Sequence, residues 1–94
     1  MSQTQLLPEI NETSASGRWM TLMYDNDHTP LELVILTLIV ATKCDVQEAE
    51  IEAWEAQAYG KAPVHFSTEA ECREVAQNLE GIGVKTSVQP EWED

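Results

Sequence analysis

The sequence predicts a small two-layer α/β sandwich with the element order βααβαβ. Three observations predict it: segments whose apolar residues alternate, segments whose apolar residues recur at helical spacing, and capping residues before each helix. In a chain of 94 residues, three strands and three helices favour one three-stranded sheet with the helices packed on one face. We expect a flexible N-terminal arm at 1–17, which is polar, and one core domain at 18–94.

The first strand and the first helix are predicted from two adjacent segments. Residues 18–24 (RWMTLMY) place apolar side chains on both faces, as in a mostly covered strand. After a polar turn, Thr29, Pro30 and Glu32 form a capping signature in which Thr29 is the N-cap and Pro30 the first helical residue. The helix runs to about Lys43. Because its surface is apolar almost all round, we expect neighbouring elements to cover it on most sides.

A second helix is predicted over 46–59, with Asp45 and Glu48 as its capping pair. Small residues recur on one face at helical spacing and would let a neighbouring backbone approach closely: Val46, Ala49, Ala53 and Ala56. The aromatic side chains of this helix, Trp54 and Tyr59, are expected to pack in the core or against another helix rather than to form a stacking surface.

The rest of the chain supplies two strands and the third helix. Residues 62–66 alternate as a short strand does, and Thr68 with Glu71 caps the helix that follows. One face of that helix is apolar: Cys72, Val75, Ala76, Leu79 and Ile82. Alternation at 84–89 predicts the last strand.

Composition and charge exclude several classes of function. Five Lys+Arg against seventeen Asp+Glu give a formal net charge of −12, which disfavours nucleic-acid and membrane-surface binding and favours a basic or amine-bearing partner. The most apolar stretch, 31–41, is too short to span a bilayer. The first residues lack a secretory signal, so we expect a cytoplasmic protein. We also expect the protein to be a monomer. A more distant alternative is that this acidic protein mimics nucleic acid and occupies the nucleic-acid site of another protein.

The sequence offers no signature of catalysis, metal binding or a cofactor. Cys44 and Cys72 have no CxxC spacing and no histidine partner, and we interpret them as reduced and structural. No phosphate loop and no nucleophile motif occurs. We therefore expect a protein that is not an enzyme and that carries no cofactor and no metal.

Residues 25–29 (DNDHT) hold the densest set of polar side chains, where the first strand leads into the first helix. One interpretation is an Asx turn followed by a helix cap, which these residue types form for local reasons, and the residue types alone favour it. The other is a cation site, because carboxylate and amide oxygens suit the three donors of an ammonium group.

The stretch 24–32 (YDNDHTPLE), the apolar helix after it, Asp45-Val46 and Gly60-Lys61 resemble the ClpS family of Clp protease adaptors. That family has an Asn-Asp-Asp-x-Thr-Pro-Met-Glu motif after its first strand. From this motif to the later Gly-Lys the two patterns align without a gap, and the resemblance extends from Trp19 to about Val88. It implies the same small α/β fold.

The resemblance also implies a function and a set of site residues. A ClpS adaptor binds the N-terminal residue of an N-degron-bearing protein, through its free α-amine and apolar side chain, and delivers that protein to the AAA+ unfoldase ClpA or ClpC. Five residues would contact the amine and the first peptide unit: Asp25, Asn26, Asp27, Thr29 and Gln57. Five others would line the side-chain pocket: Leu31, Val34, Thr37, Ala53 and Ala56. The arm at 1–17 resembles the flexible extension of the family.

Departures from the family pattern predict an altered specificity. Gln57 replaces a histidine that binds the amine, and the Asn-Asp pair is inverted to Asp25-Asn26. Smaller or more polar residues stand at pocket positions and imply a wider, more polar pocket: Thr37, Ala53 and Ala56. The alternative is a ClpS-like interaction module that has lost N-degron binding and modulates a Clp unfoldase or another partner.

Overall fold

The first strand forms the centre of the sheet. The computed structural model describes residues 18–92, and within them β1 (Trp19–Tyr24) lies between β2 (Lys61–Ser67) and β3 (Thr86–Pro90). Both pairings are antiparallel, and Trp19 is opposite Ser67 on one side and Pro90 on the other. The predicted two-layer α/β fold with the order βααβαβ is confirmed.

Three helices of the described chain pack with the sheet around one core. They are α1 (Leu31–Thr42), α2 (Val46–Tyr59) and α3 (Glu69–Glu80). Every element except β3 contributes to the core cluster, as does the segment before β3: Met23, Val34, Leu38, Ala49, Ala56, Ala62, Val64, Val75, Leu79 and Val84. The buried Thr21 hydroxyl donates to the Cys72 carbonyl oxygen at 2.9 Å, so this polar side chain is satisfied. None of the helices in residues 18–92 is long and apolar enough to cross a membrane.

Two predicted helix caps are confirmed and one is wrong. The Asp45 carboxylate accepts from the Glu48 N–H at 2.8 Å, and the Thr68 hydroxyl accepts from the Glu71 N–H at 3.2 Å. At α1, however, Pro30 occupies the N-cap position and no side chain caps the helix. The Thr29 hydroxyl is engaged elsewhere, because it donates to a carbonyl of the segment after α3.

The first helix is covered on one side only, so the prediction that neighbours enclose it is wrong. Val34 and Leu38 are buried, whereas Leu33, Leu36 and Val40 are exposed. The buried pair is spaced by one helical turn and faces the core, which leaves the opposite side of α1 without a covering element in the described chain. An apolar sequence alone does not show whether the fold supplies a second layer over such a helix.

The second helix places its small residues inward and its large apolar residues outward. The predicted close-packing face is confirmed at Ala49, Ala53 and Ala56, which are buried, but Val46 is exposed. Trp54 and Tyr59 are exposed as well, and their rings meet edge to face with centroids 6.0 Å apart. The prediction that these aromatics pack in the core or against another helix is wrong, because α2 turns its alanine face toward the core and these side chains lie on other sides of the helix.

The last strand begins two residues later than predicted. Val84 is buried before β3, and its N–H donates to the Leu79 carbonyl oxygen at the end of α3, at 3.1 Å, rather than to a neighbouring strand. Hydrogen bonding to the helix end therefore takes Val84 out of the sheet and leaves its side chain in the core. The predicted arm at 1–17 lies outside the described residues.

Glu52 on α2 is a half-buried carboxylate whose Oε1 atom is buried without a hydrogen-bond partner. Burial, with the nearby charges of Glu48 and Glu55, raises the pKa of Glu52 from 4.5 to about 7. Since the folded state then binds this proton more tightly than the unfolded state, the stabilisation is complete below the unfolded pKa and is lost as the pH rises through about 7.

We therefore expect the free energy of unfolding to fall between about pH 5 and pH 8, and the Glu52→Gln variant to show a flatter dependence and greater stability than the parent at about pH 8. Urea unfolding at a series of pH values measures both. Glu50→Gln is the matched control, because Glu50 is exposed and its replacement should leave the slope unchanged. An unchanged slope in Glu52→Gln would contradict the prediction.

Candidate functional site

A cavity of about 390 Å³ lies where the end of β1, the start of α1 and the second half of α2 meet. Its lining comes from β1 and the loop after it, from both helices and from the segment before β3: Met23, Tyr24, Asp25, Asn26, Asp27, Thr29, Leu31, Val34, Ala53, Ala56, Gln57 and Val84. The element boundaries explain this composition, because a strand end and a helix start bring a polar loop beside two apolar helix faces.

The loop between β1 and α1 is held by the side chain of Asn26. Its Oδ1 accepts from the N–H groups of His28 and Thr29, at 2.7 and 2.8 Å, which forms an Asx turn. Its Nδ2 donates to the Thr29 hydroxyl at 3.3 Å and to the Gly83 carbonyl oxygen at 3.1 Å. Both ends of the amide are thus used within the protein, and Asn26 fixes the shape of the loop.

A second contact joins this loop to the segment after α3. The Thr29 hydroxyl donates to the Ile82 carbonyl oxygen at 2.8 Å, and Gly83 lies directly beside it. Gly83 has a φ of +91°, and a Cβ at this position would lie 3.3 Å from the Thr29 hydroxyl oxygen. Glycine is therefore required here by both the backbone conformation and the close approach.

The start of the loop is anchored to the segments after α2 and before β3. The Asp25 N–H donates to the Gly60 carbonyl oxygen at 3.0 Å, and the Tyr24 N–H donates to the Lys85 carbonyl oxygen at 2.9 Å. Because Gly60 ends the helix that carries Gln57, the first bond ties Asp25 to the end of α2. The polar side of the cavity is built on backbone contacts from three parts of the chain.

The polar groups of the cavity favour a cation. Asp25 and Asp27 are exposed carboxylates, Gln57 offers an amide oxygen, and the lining contains no lysine or arginine. Such acceptors suit an ammonium group and repel phosphate. Within residues 18–92 no group of three His, Cys, Asp or Glu side chains is placed to hold a metal ion.

The rest of the lining is apolar and differs in depth. Val34, Ala53, Ala56 and Val84 are buried, so they form the inner wall. Leu31 is 47% exposed and stands at the rim. A ligand that combines a positive charge with an apolar group would match both halves of this cavity.

Comparison with known proteins identifies the family. The family model described as "ATP-dependent Clp protease adaptor protein ClpS" matches residues 14–88. The chain belongs to the ClpS family. This match covers most of the chain and confirms the resemblance seen in the sequence. The members of this family are protease adaptors, which are not catalysts.

A solved structure has the same fold as this ClpS-family chain. It is the structure of Agrobacterium tumefaciens ClpS2 bound to L-phenylalaninamide, which matches with a TM-score of 0.69 and 18% sequence identity, covering 81% of this chain and 99% of that chain. A search of curated protein sequences returned no significant match. The structural match shows the fold of the chain. Its assignment to a family of Clp protease adaptors rests on the family model.

Nine of the ten residues that the ClpS resemblance singles out lie at the cavity, and Thr37 does not. Thr37 lines a separate groove between α1 and α3, together with Leu36, Val40, Asn78 and Ile82. It follows Val34 by three residues, but Val34 points into the core cluster whereas position 37 is turned toward α3. The inference that Thr37 makes the pocket more polar is therefore wrong.

Three lining residues were not singled out from the sequence: Met23, Tyr24 and Val84. Alternation along β1 was a usable signal for Met23, which shares a face with the inward-facing Thr21. No local signal was available for Val84, since it reaches the cavity only because the chain after α3 returns past Thr29.

Replacing Asn26 with alanine is expected to destabilise this ClpS-family domain by about 1–2 kcal/mol, because the amide satisfies two backbone N–H groups and links two loops. Urea unfolding measures the loss, and hydrogen exchange at the amides of His28 and Thr29 should become faster. Asn78→Ala is the matched control, because the Asn78 amide makes one exposed bond within α3. Equal effects of both variants would contradict the assigned role.

Proposed function

We propose that this ClpS-family chain is an adaptor that binds the N-terminal residue of other proteins and delivers them to a Clp AAA+ unfoldase. The observation that carries the proposal is one cavity that combines two carboxylates and an amide with a buried apolar wall. An N-terminal residue is the part of a protein that presents a positive charge and a side chain on the same carbon atom. ClpA and ClpC are the unfoldases that we propose as partners.

The α-ammonium group binds at the polar side of the cavity. Asp25 and Asp27 supply negative charge, and the Gln57 amide oxygen accepts a further hydrogen bond. Since a glutamine amide does not titrate, amine binding here does not depend on the protonation of a group at position 57. Asn26 and Thr29 contribute by holding the loop, because their side chains already bond to groups within the protein.

The side chain of the bound residue occupies the apolar side. Leu31 contacts it at the rim, and the inner wall is formed by Val34, Ala53 and Ala56. Alanines at two wall positions leave space for a large side chain, so we expect a bulky apolar residue to bind better than a small one. L-phenylalaninamide, the molecule bound by ClpS2 in the solved structure, is of this type: it has a free α-amine, an aromatic side chain and an amide in place of the next peptide bond.

The test is a titration of the full-length protein with short peptides that differ only at residue one, each with a free and with an acetylated N-terminus. We expect saturable binding of free-amine peptides with a large apolar first residue and at least tenfold weaker binding after acetylation, which removes the charge and two of the three donors. Fluorescence anisotropy of labelled peptides gives both affinities.

Equal affinity for free and acetylated peptides would show that the amine is not recognised. Absence of binding throughout the series would favour the alternative, in which the domain modulates an unfoldase or another partner without holding a degron. Delivery is tested separately, by following degradation of a protein with the preferred N-terminal residue in the presence of purified ClpA or ClpC with ClpP.

A further inference from the structure

The outward face of α2 carries large apolar side chains that the fold does not use. Ile51 and Trp54 are three residues apart and lie on one stripe along the helix, with the polar Gln47 one turn before Ile51 and the small Ala58 one turn after Trp54. Ile51 is 53% exposed and Trp54 is 59% exposed, while the opposite stripe of alanines is buried. A helix that only packed on its own core would carry its large apolar residues on the inner face.

The Trp54 side chain of this face is preorganised by Tyr59, which lies at the end of the helix beside it. The Trp54 and Tyr59 rings are in edge-to-face contact, and both are more than half exposed. Tryptophan and tyrosine are, with arginine, enriched among the residues that dominate binding energy at protein interfaces. Their mutual contact restricts rotation before any partner binds, which lowers the entropic cost of association.

Carboxylates border the stripe on both sides. Helical geometry places Glu50 along one edge and Glu48 and Glu55 along the other. Within residues 18–92 the two ion pairs use Glu69 and Glu91, so the carboxylates of α2 make none. The helix contains no lysine, arginine or histidine, and its outward face is therefore apolar in the middle and negative at its edges.

We propose that this face of α2 binds a basic amphipathic helical segment of a partner protein, whose apolar side chains cover Ile51 and Trp54 and whose lysines or arginines pair with Glu50 and Glu55. Charge complementarity selects this occupant over a second copy of the chain, since two copies would bring these carboxylates together and each carries a net charge of −12. A cation of the partner also gains from lying over the Trp54 ring.

The proposal is independent of the amine site, and the probe is chosen to avoid that site. It is an N-acetylated, C-amidated peptide of leucine and lysine in helical register, about five turns long, with a scrambled peptide of equal composition as its counterpart. Calorimetric titration into the full-length protein should give saturable binding of the patterned peptide. Trp54→Ser and Ile51→Ser should each weaken it by roughly tenfold or more.

Two further variants separate the contribution of the carboxylates from that of the apolar side chains. Glu50→Gln with Glu55→Gln should weaken binding and flatten its dependence on salt. Leu36→Ser is the matched control: Leu36 is 59% exposed, like Trp54, but lies on α1, so the affinity should be unchanged. Circular dichroism checks that each variant is folded.

Three results would overturn the proposal. One is equal binding of the scrambled and patterned peptides, which would reduce the interaction to net charge. Another is an equal loss in Leu36→Ser, which would show that any exposed apolar residue suffices. The third is a dimer in sedimentation velocity that Trp54→Ser dissolves, because this face would then be covered by a second copy.

Discussion

Replacing Asp25 with asparagine is expected to weaken the binding of a free-amine peptide by about 1.5–3 kcal/mol, which corresponds to a roughly ten- to hundredfold higher Kd. Asparagine keeps the shape of the side chain but removes the charge that faces the ammonium group. The Asp25 N–H bond to Gly60 and the Asn26 turn do not use the Asp25 carboxylate, so the loop should stay folded. Anisotropy titrations of parent and variant with the same peptide measure the difference.

Asp45→Asn provides the matched control. It also removes one carboxylate from an acidic chain, but Asp45 caps α2 at the end remote from Gln57, and asparagine is an equally good N-cap. Affinity should therefore be unchanged in Asp45→Asn. A similar loss in both variants would assign the effect to overall charge, and parent affinity in Asp25→Asn would remove Asp25 from the proposed amine site.

Replacing Leu38 with alanine is expected to lower the free energy of unfolding by about 2–5 kcal/mol. Leu38 has no exposed surface and lies at the centre of the core cluster, where the rigid β-sheet and the other helices limit collapse around the cavity left behind. A domain of this size has a total stability of roughly 5–15 kcal/mol, so the variant should lose a large share of it. Thermal and urea unfolding measure the change.

Leu36→Ala is the control, because it makes the same substitution two residues away on the exposed side of α1. Its effect should stay within about 0.5 kcal/mol, since little area is lost from the core and alanine favours the helix. Equal destabilisation by the two variants would mean that the outer side of α1 is covered in solution, contrary to the structure.

Local signals predicted most of the fold. Asp45 and Thr68 cap their helices as residue type and spacing indicate, and the alternation at 18–24 and 62–66 marks strands that the structure contains. The errors occur where a hydrogen-bonding group has a second possible partner in another element and bonds to it instead of to the partner that the local sequence predicts. The Thr29 hydroxyl bonds to Ile82 instead of capping α1, and the Val84 N–H bonds to Leu79 instead of pairing in the sheet.

The candidate site was predicted in a similar way. One group of site residues is adjacent in sequence, at 25–27. The other group follows one helix face and consists of Ala53, Ala56 and Gln57. Both groups were therefore visible as patterns. That these two groups share a cavity came from the family resemblance, and the structure agrees. The exclusion of Thr37 and the presence of Val84 depend on helix rotation and on the path of the chain after α3, which no short segment determines.

By itself the sequence determined the element order, two of the three helix caps, the acidic character and the family, because each rests on neighbouring residues or on a motif read along the chain. The tertiary structure decided which apolar residues are buried. Leu36, Ile51 and Trp54 are as hydrophobic as the residues of the core, but a single layer of helices on a three-stranded sheet covers one side of each helix. Burial is a property of what lies opposite a side chain, and that is set only when all elements are assembled.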